Sequence, residues 1–309
     1  MKINRIFLLV SIFFITLFII NGCEQLAEMD EPEIGVELAD GTVETMQLEE
    51  YIEGVVAGEI GEIGEDDNAR QIAYSAQSII ARSYAMKYME ENDTDTISGD
   101  FREAQEYKPE EITEEISNAV QETRGEIAKY EDRYIKGWFH ANAWGHTTTA
   151  EVGLAYEDEE PPYIKPVESP DDEDPVPEEE RNWSATLSAD AIVSTLEDMG
   201  HEIGELENIN IGDQDETGRI IDLEFVGSEG SADVKAANFR VEYDPRELRS
   251  TKIDELSEEN GNYVFEGSGF GHGVGMSQWG AYVMGLEGTA PEEIVKHYFE
   301  GIEVIQAFE

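Results

Sequence analysis

The chain has 309 residues, 40% of them hydrophobic, a single Cys, and a formal charge of −51 from 20 basic and 71 acidic side chains. So acidic a composition argues against wrapping nucleic acid by phosphate neutralisation and against docking on anionic lipid through a basic patch. One Cys permits neither an intrachain disulfide framework nor a multi-cysteine zinc site, and 4 Trp, 13 Tyr and 12 Phe are too much apolar ring surface for a disordered chain.

Residues 1–23 read as an export signal. Lys2 and Arg5 give a basic start, Ile6 to Ile20 is almost wholly apolar, and the run is shorter than the roughly 20 residues of a spanning helix. Ile20-Asn21-Gly22-Cys23 then resembles a bacterial lipobox, which would put a lipid on Cys23 and tether the chain outside the cytoplasm. An exported domain this acidic repels itself in dilute buffer and is relieved by salt, so a saline or alkaline habitat is expected. Residues 24–34 are an acidic tether.

Gly35 to about Gln47 fits a short strand pair turning at Asp40-Gly41. Leu48, Ile52, Val55, Val56 and Glu59 fall on one helical face, and Asn68 to about Glu91 is the clearest helix, with Asn68 as its cap. Another helix is expected over 109–123 and a hairpin over 127–139. The stretch 157–180 carries many acids and prolines and reads as a solvated loop. A helix over 188–199, strands at 209–211, 220–226, 232–234 and 263–266, and a helix over 291–299 complete the order. Helices and strands are segregated, so the expected class is α+β: a mixed, β-rich core with flanking helices, forming one domain over 35–309.

Three constellations could carry chemistry. Glu59 sits among apolar neighbours, where loss of hydration disfavours the carboxylate and raises its pKa toward the range of a general acid. In FEGSGFGHGVGMSQWGA (265–281) glycine stands at every second position from 267 to 275. That suggests a backbone able to approach a ligand, with His272, Ser277, Gln278 and Trp279 to contact it. His140 and His146 lie six apart beside Trp144. Without a third ligand nearby except acids such as Glu151, they read as hydrogen-bonding surface histidines rather than a metal site.

Taken together the motifs resemble the stage II sporulation protein D / amidase-enhancer family. The residues that carry the resemblance are LEEYIEGVVAGEI (48–60), SAQSIIARSYAM (75–86), AVQETRG (119–125), FHANAWGHTTTAEVGL (139–154), PPYIKPVESPDD (161–172), NFRVEYDPRELRST (238–251) and GSGFGHGVGMSQWGA (267–281). They run in family order over about residues 35–305. The resemblance implies a lytic transglycosylase that cuts the bond between N-acetylmuramic acid and N-acetylglucosamine and leaves a 1,6-anhydro end, with Glu59 as its catalytic acid. It implies that Gln77, Arg82, Tyr84, His140, His146, Thr148, His272, Ser277, Gln278 and Trp279 line or brace the glycan groove, with Arg82 meeting a glycan carboxylate. The alternative it offers is a non-catalytic glycan-binding enhancer of a cell-wall amidase. No cofactor is expected: Ala143 stands where some relatives carry a zinc-ligating Cys. The expected partners are peptidoglycan strands and, in the alternative, the amidase, with the membrane reached through the lipid on Cys23.

Overall fold

The computed structural model describes residues 30–172 and 174–309; the leader and Cys23 lie outside the described residues. The elements in chain order are β1 (Glu33–Glu37), β2 (Val43–Gln47), α1 (Leu48–Glu59), α2 (Asp67–Asn92), β3 (Thr96–Ser98), α3 (Glu114–Glu122), β4 (Glu126–Tyr130), β5 (Arg133–Tyr134) and β6 (Phe139–His140). Then come α4 (Ala150–Leu154), α5 (Glu178–Arg181), β7 (Asn182–Ser188), α6 (Ala189–Asp198), β8 (Leu206–Ile211), β9 (Asp222–Gly227) and β10 (Gly230–Lys235). The last are α7 (Ala236–Tyr243), β11 (Ile253–Glu259), β12 (Asn262–Ser268), β13 (Met276–Ser277), α8 (Gln278–Leu286), α9 (Pro291–Tyr298) and β14 (Glu303–Gln306). The class is α+β, as the segregated elements imply. Among the described residues no helix is long and apolar enough to cross a membrane.

Helix α2 is the axis of the molecule. Asp66, not Asn68, caps it by accepting from the backbone N–H of Ala69 at 2.9 Å. From Ala73 to Ser83 every residue is buried, so α2 is covered on all sides rather than amphipathic. Alternating Ala and Ser keep it slender. The hydroxyls of Ser78 and Ser83 bond back to the carbonyls of Tyr74 and Ile79, and Ser83 Oγ also accepts from the N–H of Ala128 on β4. Helices α1, α3, α8 and α9 surround it. The sheets β2-β1-β3 and β14-β4-β5 cover the flanks. The hairpin expected at Asp40-Gly41 forms, with Val36 opposite Glu44.

The buried side chains sort into two clusters. The first runs from Ile34 to Val176 and resumes from Val274 to Phe308; the second lies wholly between Trp183 and Phe265. The chain thus leaves the first core near Glu178, builds the sheets β10-β9-β8 and β11-β12-β7 around α6 and α7, and returns through β12 into the glycine-rich segment. Among the elements that carried no clear signal in the sequence are β7, α7, β11, α8 and β14. Strand β7 alternates perfectly, with Trp183, Ala185 and Leu187 inward, but follows directly on the acidic stretch. Helix α8 begins inside the glycine-rich run, and its Gly280 and Gly285 disguise it.

Candidate active site

Helix α1 delivers Glu59 as its last residue, with Leu48, Ile52, Val55 and Val56 buried behind it. Two glycines on the same helix, Gly54 and Gly58, form a floor for residues 99–108. A Cβ on Gly54 would stand 2.2 Å from the ring of Tyr107, and one on Gly58 would stand 2.5 Å from the carbonyl O of Glu106. With both bare, Tyr107 stacks on Tyr51 with ring centroids 5.6 Å apart, and the N–H of Lys108 bonds the carbonyl of Gly54 at 3.0 Å. The loop so seated donates the N–H of Glu106 to Glu59 Oε1 at 2.7 Å.

Glu59 is half-buried as a residue, and its carboxyl is largely enclosed. Loss of hydration raises it to about 7, opposed by the Glu106 N–H and by Lys108 and reinforced by the Glu106 carboxylate. Glu106 itself faces two cations, Lys108 Nζ at 3.3 Å and Arg246 Nη2 at 3.7 Å. Tyr84 lies close enough that Glu59 helps burial push its phenol up to about 12, and it stacks on Tyr88 at 6.3 Å. Gln278 Nε2 bonds the carbonyl of Glu59 at 3.2 Å and reaches Gln77 Oε1 at 3.5 Å. Gln77, Tyr84 and Gln278 therefore lie around Glu59. The buried amide nitrogens of Gln77 and Gln105 have no partner among the described residues. Gln105, Glu106, Tyr107 and Lys108 escaped the sequence reading, because nothing in their order marks them apart from the acids around them.

The glycine-rich segment is not a ligand cradle. Gly269, Gly271, Gly273 and Gly275 all have positive φ, but the space their missing side chains vacate is filled by protein. A Cβ on Gly271 would meet that of His140 at 2.6 Å, and one on Gly273 would meet Arg219 Cζ at 2.3 Å. The segment threads along residues 139–148, pairing Phe270 with Asn142, Val274 with Thr148 and β13 with β6.

Other expected groove residues are spent on structure. Arg82 is fully buried; Nε and Nη2 grip the carboxylate of Glu49 at 2.7–3.1 Å, and Nη1 and Nη2 reach Thr123 Oγ1 and the carbonyl of Val120. Its fork locks α1 to α2 and α3 and has nothing left for a glycan carboxylate. Thr148 donates to Asp215 Oδ2 at 2.5 Å, tying the two cores together. Ser277 donates to Asp171 and caps α8, and Trp279 is buried edge-on to Tyr282. His140 is buried rather than on the surface. Its Nδ1 faces the carbonyl of Val274 at 3.2 Å and its ring lies 5.5 Å from that of His272. Burial lowers both, His140 well below its ordinary value and His272 to about 3, so both are neutral imidazoles. Of His140, His146 and His272, only His146 is exposed. Among the described residues no three His, Cys, Asp or Glu side chains stand grouped for a metal ion.

Two family models match the chain. The stage II sporulation protein model covers residues 39–130, the segment that carries Glu59 and its floor, and a domain of unknown function (DUF8618) covers 177–275, which encloses the second core. Stage II sporulation protein D of Bacillus amyloliquefaciens is 29% identical over 86% of this chain and 76% of its own length, and that of Bacillus subtilis is 28% identical over 87% and 77%. The amidase enhancer of Bacillus subtilis is 24% identical over 74% of this chain but only 37% of its own length. An uncharacterized protein of Brachyspira hyodysenteriae is 28% identical over 85% and 68%. One family model thus falls on the helix that presents the raised carboxyl, and relatives bearing both names align over most of the chain: the sequence is similar to the stage II sporulation protein D and amidase-enhancer proteins.

Proposed function

We propose that the protein is a peptidoglycan lytic transglycosylase acting outside the cytoplasm, in sporulation or in remodelling of the cell wall. The observation that carries this reading is Glu59: one carboxyl on a half-buried residue, raised to about 7 by loss of hydration and held by the Glu106 N–H. Such a group is protonated often enough near neutrality to give its proton to the glycosidic oxygen as the bond to the muramic acid carbon breaks. The resulting carboxylate then takes the proton of the sugar's own 6-hydroxyl while that oxygen closes on the same carbon. One carboxyl serves both steps and no water is consumed, whereas a hydrolase needs a second carboxylate across the bond. Glu106 does not fill that role in this reading, since its carboxylate is engaged with Lys108 and Arg246. The Stage II sporulation protein D relatives support a task in sporulation, and the leader with Cys23 would place the enzyme on the outer face of the membrane.

The relative named amidase enhancer favours a second reading, a glycan-binding protein that stimulates a cell-wall amidase without chemistry at Glu59. Mass spectrometry of amidase-stripped glycan strands, treated with the protein alone in high salt, separates the two. The enzyme yields 1,6-anhydro ends, and Glu59→Gln lowers their release by about 10²–10⁴-fold, the usual worth of a general acid. An enhancer yields no new ends with either protein.

A further inference from the structure

The loop of residues 99–108 brings the Glu106 N–H to Glu59, and it is held from both cores. From the first core come the α1 floor and Tyr51, whose hydroxyl donates to Gln105 Oε1 at 3.3 Å. The loop also closes on itself, with the N–H of Tyr107 on the carbonyl of Gly99 at 3.1 Å. At its tip the apolar ring of Phe101 stays exposed.

Arg246 lies in the turn that follows α7, within the segment that builds the second core. The turn is tight. Asp244 Oδ1 accepts from the N–H of Arg246 at 2.8 Å, and the Asp244 carbonyl accepts from the N–H groups of Glu247 and Leu248. Leu248 is buried in the second core, which fixes the backbone under Arg246. The guanidinium reaches across to the loop at two places. Its Cζ stands 5.3 Å from the centroid of the Phe101 ring, and Nη2 stands 3.7 Å from Glu106 Oε1. Arg102 lies over the same ring at 5.7 Å, and Lys108 Nζ shares Glu106 Oε1 at 3.3 Å. One side chain of the second core therefore touches both the tip of the loop and the residue whose N–H meets the acid.

The Arg246 side chain is 68% exposed, so this pair is screened by water and salt and adds little to stability. Placement is another matter. Gly58 leaves the Glu106 carbonyl no room to move toward α1, since even a Cβ there would stand 2.5 Å from it. The loop can yield only away from the helix, and that motion draws the N–H off Glu59 Oε1, where it stands at 2.7 Å. A hydrogen bond weakens steeply over such a shift, and an ångström of misplacement harms catalysis more than folding. The groups facing Glu59 are that N–H, the Glu106 carboxylate, Lys108 and the phenols of Tyr51 and Tyr84. Losing the N–H and freeing the Glu106 charge both disfavour the ionised form of Glu59.

We propose that Arg246, reaching from the second core, is a positioning residue: by holding Phe101 and Glu106 it keeps the Glu106 N–H on Glu59. It touches none of the reacting atoms. The inference rests on Glu59 as the working acid, and it gives the second core a part in the chemistry of the first.

Carbon-13 titration of Glu59 in wild type, Arg246→Ala and Arg246→Lys, beside kcat and KM on amidase-stripped glycan strands, tests this. In Arg246→Ala the Glu59 midpoint rises by about half a pH unit, a change of about threefold in its ionisation constant. The kcat falls about tenfold while KM hardly moves. Arg246→Lys keeps the charge without the planar fork and recovers part of both. A residue that served folding alone would lower the unfolding midpoint and leave the Glu59 titration in place. An unmoved Glu59 midpoint in Arg246→Ala, or an undiminished kcat, overturns the proposal and leaves the transglycosylase reading standing. Should wild type release no anhydro ends at all, that reading fails, and the titration still decides whether Arg246 holds the loop on Glu59.

Discussion

Two regions of the molecule are rich in glycine and polar side chains, and they use them in opposite ways. Around Glu59, Gly54 and Gly58 admit a neighbouring loop whose N–H meets the carboxyl, and Glu59 stays half-buried. At the junction of the two cores, Gly271 and Gly273 admit His140 and Arg219, and the space closes completely. Bare backbone in the first case builds a site; in the second it builds a seam. What separates them is the second partner. A loop laid over a helix end leaves one side open, whereas a strap threaded between two cores is covered from both.

Substitutions that restore a side chain sharpen this contrast. The largest effect is expected of Gly273→Ala. It adds a Cβ 2.3 Å from a buried guanidinium at φ +79°, and overpacking with a left-handed backbone costs together about 3–5 kcal/mol. Chemical unfolding shows that loss, while turnover per folded molecule stays near wild type. Gly58→Ala does the reverse. The new methyl displaces the Glu106 backbone, so stability falls by only about 1–2 kcal/mol. Release of anhydro ends falls by about tenfold to a hundredfold, because the donor to Glu59 moves. If the two variants show the same balance of stability and turnover, the contrast is wrong. The smallest effect belongs to Glu106→Gln. Removing that charge lets Lys108 and Arg246 act on Glu59 unopposed and lowers its pKa, so the alkaline limb of the activity profile moves to lower pH with little change in plateau rate. A limb that stays in place means Glu106 does not tune the acid.

Much of the first core was legible in the sequence. The apolar spacing of α1 and α2 survives in the structure because those residues meet one another locally, within a helix and its neighbours. Glu59 was legible in part, since Leu48, Ile52, Val55 and Val56 on its own helix mark its apolar setting and its motif carries the resemblance. The loop of residues 99–108 was not, because it acquires meaning only when Gly54 and Gly58, some fifty residues earlier, bring it to the carboxyl. Arg82 and the glycine-rich segment misled in the same way. A guanidinium and a run of glycines suggest ligand contact on a linear reading, and only the fold shows that Glu49 and Arg219 already occupy them. The alternation of β7 and the helix α8 were hidden by flanking acids and by glycines whose purpose is packing.

The claim on which the account rests is that the fold keeps the proton on Glu59. The folded carboxyl at about 7 lies above the ordinary 4.5, so the native state binds more protons between those values. Its contribution to stability is then present in acid and is lost as the pH rises through 7. Carbon-13 titration of the glutamate carboxyls, with Glu59 assigned by its disappearance in Glu59→Gln, measures this directly. The account predicts a midpoint near 7, together with a stability of Glu59→Gln that gains on wild type from pH 4.5 to 7. A Glu59 midpoint near 4.5, with the two stability curves parallel, would contradict it.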